Sequence, residues 1–359
     1  MITKYKILKL KNLYIFFLIL SLKLFFFSTT NSEVKAFEIN NIEISKPFEI
    51  NFNKNRVIDE GFNQAFLKLI LLIVSSSDQK KINNIKLNEI KGMIDTFSIK
   101  QEKFINEIYH VNLGVSFNKK KVFKYLEKKN IFPSIPIKKK ILFIPIIIDE
   151  NKRDLLIFND NIFFEMWNDK TKDFRLLKYI LPTEDLEDLK LVKSKFEFIE
   201  QYDFEDIIDK YYLKDSIIAL IFKNEEEVRI LSKISMKEKI ILKNKSFSNI
   251  ELDNIEEVKK TIEELKIIYE DYWKSFNQIN TSIRISLNIR ISNSDNFKIS
   301  NFENVLKQTD LIYDFNISKL DKNFVYYQII FNGTPSNFLE SMRENNLNFN
   351  TENKVWVLR

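Results

Sequence analysis

The chain has 359 residues, 45% of them hydrophobic, with 56 lysines and arginines against 50 acids and a formal charge of +6. It has no cysteine, one histidine (His110) and four glycines (Gly61, Gly92, Gly114 and Gly333). That inventory excludes disulfides, a Cys-borne lipid anchor, zinc sites built on His and Cys, a Cys–His catalytic unit and any Gly-rich phosphate or dinucleotide loop.

The first twelve residues carry Lys4, Lys6, Lys9 and Lys11 and no acid. Leu13 to Phe27 is then apolar except for Ser21 and Lys23, and a polar stretch from Ser28 ends at Ala36. Basic, apolar and polar segments in that order form a secretory signal, with Val34 and Ala36 at the minus-three and minus-one positions of a cut that leaves Phe37 first. The alternative is an inner-membrane anchor. Lys23 in mid-span and a run shorter than the roughly 20 residues a span needs argue against it. Residues 1–36 hold six lysines and one acid, so removing them leaves 50 basic against 49 acidic residues. The basic charge therefore belongs to the leader, and a nucleic-acid partner loses its support. The expected location is the periplasm.

About 320 residues remain, enough for two or three domains. Residues 37–50 alternate as a strand, with Ile42, Ile44, Phe48 and Ile50 on one face and Pro47 at its edge. Asn53 or Asn55 caps a helix from Arg56 to Ser75, whose Ile58, Phe62, Phe66, Leu69 and Ile73 recur at helical spacing. A second helix is expected from about Leu87 to Phe97. Ile108 to Phe117 alternates as a strand, and Lys119 to Lys129 is an amphipathic helix. His110 lies on the opposite phase from Val111, Leu113 and Val115, as a solvated strand histidine does; a Ser-His-Asp unit would have to use it.

Residues 130–140, NIFPSIPIKKK, form the best linker. ILFIPIII (141–148) is short and apolar throughout, as a strand buried on both faces is, although Pro145 favours an edge or a bulge. Asp149 follows at its carboxyl end. A short strand near Leu155 to Phe158, a helix from Asn161 to Asn168 and a strand from Leu176 to Leu181 come next. The stretch PTEDLEDL then begins a helix, with Thr183 as N-cap and Glu184, Asp185, Glu187 and Asp188 complementing its dipole. A helix at Phe204–Tyr212, a buried strand SIIALIF (216–222), strands 227–235 and 237–247, and a long helix capped by Asp253 complete a β-β-α-β-α-α-β-β-β-α order. The long helix buries Ile255, Val258, Ile262, Leu265 and Tyr269, and its other face mixes Glu and Lys at i to i+4 spacing, as in Glu256 with Lys260.

From Asn280 onward a strictly alternating strand, a helix at 300–308, strands 311–317 and 324–331, a helix at 336–345 and a strand at 355–358 give the split β-α-β-β-α-β order. Gly333 and Pro335 mark the strand exit and the helix start. The chain thus reads as a multi-domain α+β / α/β protein: a signal peptide (1–36), a small N-terminal α+β unit (37–132), a central mixed-sheet α/β domain (133–279) and a C-terminal ferredoxin-like βαββαβ unit (280–359).

Three functions compete. The first is a non-enzymatic envelope protein that binds another protein or a cell-wall or membrane component, without nucleic acid and without a cofactor. The second is a carboxylate-dependent hydrolase of the central domain. α/β sheets bind ligands beyond the carboxyl ends of their strands, where Asp149, Thr183 with Glu184 and Asp185, and Lys223 stand. The third is a small-molecule binder using aromatics such as Trp167, a residue type that more often anchors a core. The candidate binding residues are Asp149, Trp167, Thr183 and Asp185; no catalytic residue and no metal ligand is assigned.

Three stretches carry a family likeness: NRVIDEGFNQAFLKLI (55–70); YHVNLGVSFNKKKVFKYLEKKNI (109–131) leading into ILFIPIIID; and MWNDK (166–170) with LPTEDLEDL (181–189); FNGTPSNFLESMRENNL (331–347) is compatible with it. Together they resemble an uncharacterised bacterial exported family known only as domain of unknown function 2066. The resemblance spans nearly all of the mature chain. It implies a bacterial envelope location, has no activity attached, and carries over no functional residue.

Overall fold

The computed structural model describes residues 37–168, 174–224, 227–248, 251–281 and 283–359. The leader with its expected cut after Ala36 lies outside the described residues, as do the last two residues of MWNDK. The chain divides into two units: Met1–Glu38, of which only Phe37 and Glu38 are described, and Ile39–Arg359, a single compact body holding three sheets. No helix among the described residues is long and apolar enough to cross a membrane.

The N-terminal part comprises β1 (Glu38–Pro47), α1 (Lys54–Ile73), the single-turn α2 (Ser76–Gln79), α3 (Leu87–Met93), β2 (Ile94–Ile105), β3 (Ile108–Phe117) and α4 (Lys119–Lys128). Asn53 caps α1, its side chain accepting from Asn55 N and Arg56 N. Phe62, Phe66, Leu69 and Ile73 are buried as the helical spacing requires. Gly61 lets α1 approach β3, since a Cβ there would stand 2.4 Å from a Leu113 methyl. The helix expected to run to Phe97 ends at Met93, and an unforeseen strand, β2, follows. The sheet order is β1-β3-β2. β2 is an edge strand exposed at almost every position, and two register shifts break its alternation, so it has no apolar face to betray it.

The central part follows the expected order: β4 (Lys139–Asp149), β5 (Asp154–Leu156), α5 (Ile162–Met166), β6 (Leu177–Ile180), α6 (Leu186–Ser194), α7 (Glu205–Ile208), β7 (Ser216–Lys223), β8 (Glu227–Met236), β9 (Lys239–Ser248) and α8 (Ile255–Phe276). Its sheet is mixed. β4 runs parallel to β6 and β7 and antiparallel to β5, while β7, β8 and β9 are antiparallel neighbours. Ile141, Phe143 and Ile147 face a core shared with α8 and Trp167; Leu142, Ile144, Ile146 and Ile148 face one shared with Val192 of α6 and Ile207 of α7.

Pro145 sits inside this central strand because its missing N–H meets a gap. β6 pairs with β4 only up to Leu142, and β5 only from Ile147. In that gap the buried Asn161 amide donates to Pro145 O at 3.0 Å and to Leu156 O at 3.2 Å, while its carbonyl caps α5 at Phe163 N. The N-cap of α8 is Asn254 and not Asp253, and Glu256 pairs with Lys259 and not Lys260.

The C-terminal part consists of β10 (Ile285–Ser292), α9 (Asn296–Gln308), β11 (Ile312–Leu320), β12 (Phe324–Phe331), α10 (Pro335–Glu344), β13 (Phe349–Asn350) and β14 (Val355–Leu358). The order β11-β12-β10-β14 with β10 parallel to β14 is the ferredoxin-like arrangement, and β13 adds a short outer strand.

The stretch read as a linker is bonded to its neighbours. Ser134 N donates to Ile73 O (2.7 Å), Ile135 N to Asn277 O (2.9 Å), and Ile279 N to Pro133 O (2.8 Å). Trp273 Nε1 donates to Ile137 O at 2.7 Å. α4 in turn meets the C-terminal sheet through Lys119–Asp310, Lys120–Asp314 and Arg284–Glu127.

Candidate functional site

β4 and β7 end side by side, with Ile148 opposite Phe222 and Asp149 opposite Lys223. Beyond these carboxyl ends lies an open crevice of about 500 Å³. This is where the geometry of an α/β sheet leaves room for a ligand. Its floor is apolar, from Ile148, Ile199 and Phe222, and its rim carries Arg153, Glu197 and Glu200. Arg153 pairs with Glu197 and lies 5.9 Å from the Phe196 ring; Arg229 pairs with Glu200 at 2.8 Å and lies 4.0 Å above Phe222. Each guanidinium thus has a phenyl ring within cation–π reach and a carboxylate paired to one of its nitrogens. Arg153 and Glu197 are mostly exposed, so their pairing is screened and open to exchange with a ligand of matching charge. The crevice lining has no hydroxyl, thiol or imidazole. It is equipped to bind a group carrying anionic and cationic ends.

The four candidates from the sequence are not brought together. Asp149 closes the β4–β5 turn, accepting from Lys152 N at 2.9 Å. Asp185, not Thr183, caps α6, accepting from Glu187 N at 2.8 Å. That N–H, and then the Lys210 ammonium at 3.2 Å, hold its carboxyl below the ordinary range. Thr183 is taken by Tyr211, whose hydroxyl accepts from Thr183 N at 2.7 Å and lies 3.0 Å from Thr183 Oγ1. Lys210 also reaches the buried Asp188 at 2.6 Å. Thr183 and Asp185 are therefore both bonded to one turn, 209–211.

Asp149 belongs to the other end of α6. Its ladder partner Asp154 pairs with Lys193, eight residues beyond Asp185 and so about 12 Å along the helix. Trp167 is fully buried, stacked on Phe143 at 3.7 Å and edge-on to Tyr179 at 5.3 Å, a core anchor away from the crevice.

Two further groupings were not visible in the sequence. Lys266, Glu270 and Lys274, at i, i+4 and i+8 of α8, are each about 95% buried. Glu270 accepts from Leu176 N (3.1 Å) and Leu177 N (2.7 Å) at the start of β6, and burial lifts its carboxyl above the ordinary value. Lys274 donates to Val74 O at 3.1 Å, and burial lowers its ammonium. Asp271 accepts from Ser76 N at 2.9 Å. The wheel held a hint, since Lys266 and Glu270 fall within about 80° of Ile262. Glu270, Asp271 and Lys274 bond α8 to the start of β6, to α2 and to the C-cap of α1.

The second grouping is Ser45 Oγ at 2.8 Å from His110 Nδ1, across the open face of the N-terminal sheet. Glu43, Gln101, Lys103 and Asn112 surround it. The geometry is that of a cross-strand polar pair on a solvated face.

Compared with known proteins, the chain matches no family model, and no curated protein matches it.

Proposed function

We propose that this chain is an exported, non-enzymatic envelope protein that binds a partner protein or an envelope component, with the crevice beyond β4 and β7 as its binding site. The observation that carries the reading is the pairing of an apolar floor with a rim of Arg153, Glu197 and Glu200 at the carboxyl edge of the parallel strands, Glu200 being paired in turn to Arg229. Such a rim takes a ligand carboxylate or phosphate on the arginines and a ligand cation on the glutamates. The leader supports export, and the likeness to domain of unknown function 2066 supports a bacterial envelope. Asp149 and Asp185, the acids of the competing hydrolase reading, accept from a turn N–H and from a helix N–H respectively.

A photo-crosslinking side chain at Gln201, in the full chain expressed in a bacterium, tests this. The protein recovered from the periplasm should begin at Phe37 and carry an adduct at 201. Arg153→Ala with Arg229→Ala should reduce the adduct about tenfold, the cost of losing one good charged contact. A protein that stays free of adduct in the envelope fraction, or that is found in the cytoplasm, sinks the proposal.

A further inference from the structure

The central sheet has a second pole. The crevice stands at the carboxyl ends of β4 and β7. At their amino ends, every strand that reaches that edge brings a lysine. Lys178 lies on β6, Lys139 and Lys140 on β4, Lys214 two residues before β7, and Lys237 and Lys239 where β8 turns into β9. The register sets them side by side. Lys140 is directly opposite Lys178, Leu142 pairs with Ser216, Ser216 with Ser235, and Met236 with Lys239. Five strands at their ordinary spacing make the row about 19 Å long.

This charge is not answered within the molecule. The stretches that form the edge, 137–142, 177–180, 213–216 and 235–240, hold seven lysines and two acids, Asp215 and Glu238. Asp215 is spent: it takes Lys139 Nζ at 2.6 Å and accepts from Lys237 N at 2.8 Å. Lys140, Lys178, Lys214 and Lys239 are exposed, and none pairs with an acid among the described residues. The acids of α8 at this end serve the interior, Glu270 the N–H groups of Leu176 and Leu177 and Asp271 that of Ser76. Like charges set directly opposite one another, as Lys140 and Lys178 are, cost stability. An outside anion would relieve that cost.

The residue types decide which anion fits. These stretches hold no arginine, and Arg175, just ahead of β6, is paired with Glu263. Arginine grips one phosphate or carboxylate with two prongs, whereas lysine is a point charge. Lysine is also depleted in interfaces between proteins, where aromatic residues and arginine carry the energy. A row of point charges suits an extended anionic surface. Two apolar side chains stand among the lysines, Ile137 at 43% exposure and Ile240 at 76%. On a nucleic-acid backbone they would stay in water; at a bilayer interface they would be covered. We infer that the amino pole of the central sheet docks on an anionic phospholipid bilayer, with its lysines at the headgroup phosphates and Ile137 and Ile240 at the acyl boundary. The inference is independent of the crevice, which opens at the other end of the same strands.

The chain has no cysteine, so one placed at 240 is unique. Ile240→Cys in the full chain carries an environment-sensitive fluorophore, and Phe297→Cys, exposed on α9, is the control. Vesicles of phosphatidylcholine with phosphatidylglycerol should shift the emission at 240 to the blue. Phosphatidylcholine alone should not, and the control should shift with neither. Salt at about 0.5 M should reverse the shift. Lys140→Gln, Lys178→Gln and Lys239→Gln together should raise the vesicle concentration for half the shift about a hundredfold, with far-ultraviolet circular dichroism unchanged. The same three positions changed to arginine should keep the shift. The leader is the same in every variant, so the differences report the pole. No shift at 240, an equal shift with neutral vesicles or at 297, a shift that survives salt, or a glutamine variant that docks as well as the unaltered chain overturns the inference. So does poly-glutamate or duplex DNA that raises the probe's anisotropy at a lower concentration of charge than the vesicles, which would assign the pole to an acidic protein or to nucleic acid.

Discussion

Glu270 shows how one side chain can hold two segments together at a cost. Its carboxylate receives both N–H groups at the start of β6. Removing it leaves those donors without a carboxylate and takes away a charge that favours the charged form of Lys274. Glu270→Ala should lower the unfolding free energy by about 3–5 kcal/mol in urea titrations, the range for breaking a buried charged contact from one side. The same residue sets a pH dependence. Its carboxyl is raised in the folded protein from 4.5, so the unfolded chain loses that proton first as pH rises. Stability from this group is complete below 4.5 and falls as pH climbs through the raised folded value. Glu270→Gln should flatten that fall, and an unchanged slope would show that another group produces it.

At the scale of elements, β4 depends on a residue that belongs to no strand. Asn161 bonds Pro145 O and Leu156 O and caps α5, closing the gap between β5 and β6. Asn161→Ala should cost about 3 kcal/mol, combining a lost helix cap with one buried and one part-buried carbonyl left unserved. Urea unfolding followed by tryptophan fluorescence would measure it, and a loss under about 1 kcal/mol would mean water replaces the amide. The order of the central elements was legible because ILFIPIII and SIIALIF are apolar on both faces and so announce buried strands. The role of Asn161 was not, because its acceptor is 16 residues away in the chain. β2 escaped because it is an edge with two bulges and no apolar stripe. The crevice escaped for a different reason. Its residues come from the end of β4, the β4–β5 turn, the stretch 196–201 and β7, and Arg153 or Glu200 alone looks like any solvated charge in a chain with 30% charged residues. The acids of PTEDLEDL were legible as helix-capping groups, but the cap fell on Asp185 and not Thr183.

At the scale of the whole molecule, the bonds between the parts decide how Ile39–Arg359 unfolds. Interfaces between units of one chain are commonly polar and yield before the units do. Here the connections themselves are bonded. Ser134 and Ile135 pair with Ile73 and Asn277, and Pro133 with Ile279. Lys274 reaches the Val74 carbonyl at the C-cap of α1, where a cation favours the negative end of the helix dipole, and Asp271 holds Ser76 just beyond it. Opening the N-terminal sheet away from α8 would therefore expose Lys274, Asp271 and the end of α1 together, at a cost comparable to melting either part. We expect one calorimetric transition for residues 39–359, with a van't Hoff enthalpy equal to the measured one. Asp271→Ala, which removes the acceptor of Ser76 N, should separate an earlier transition belonging to the N-terminal sheet. Two transitions in the unaltered protein would show that the paired connections do not couple the parts. A single transition that survives Asp271→Ala would place the coupling in the backbone bonds of 133–135 and 277–279, because those pairs remain when the carboxylate is gone.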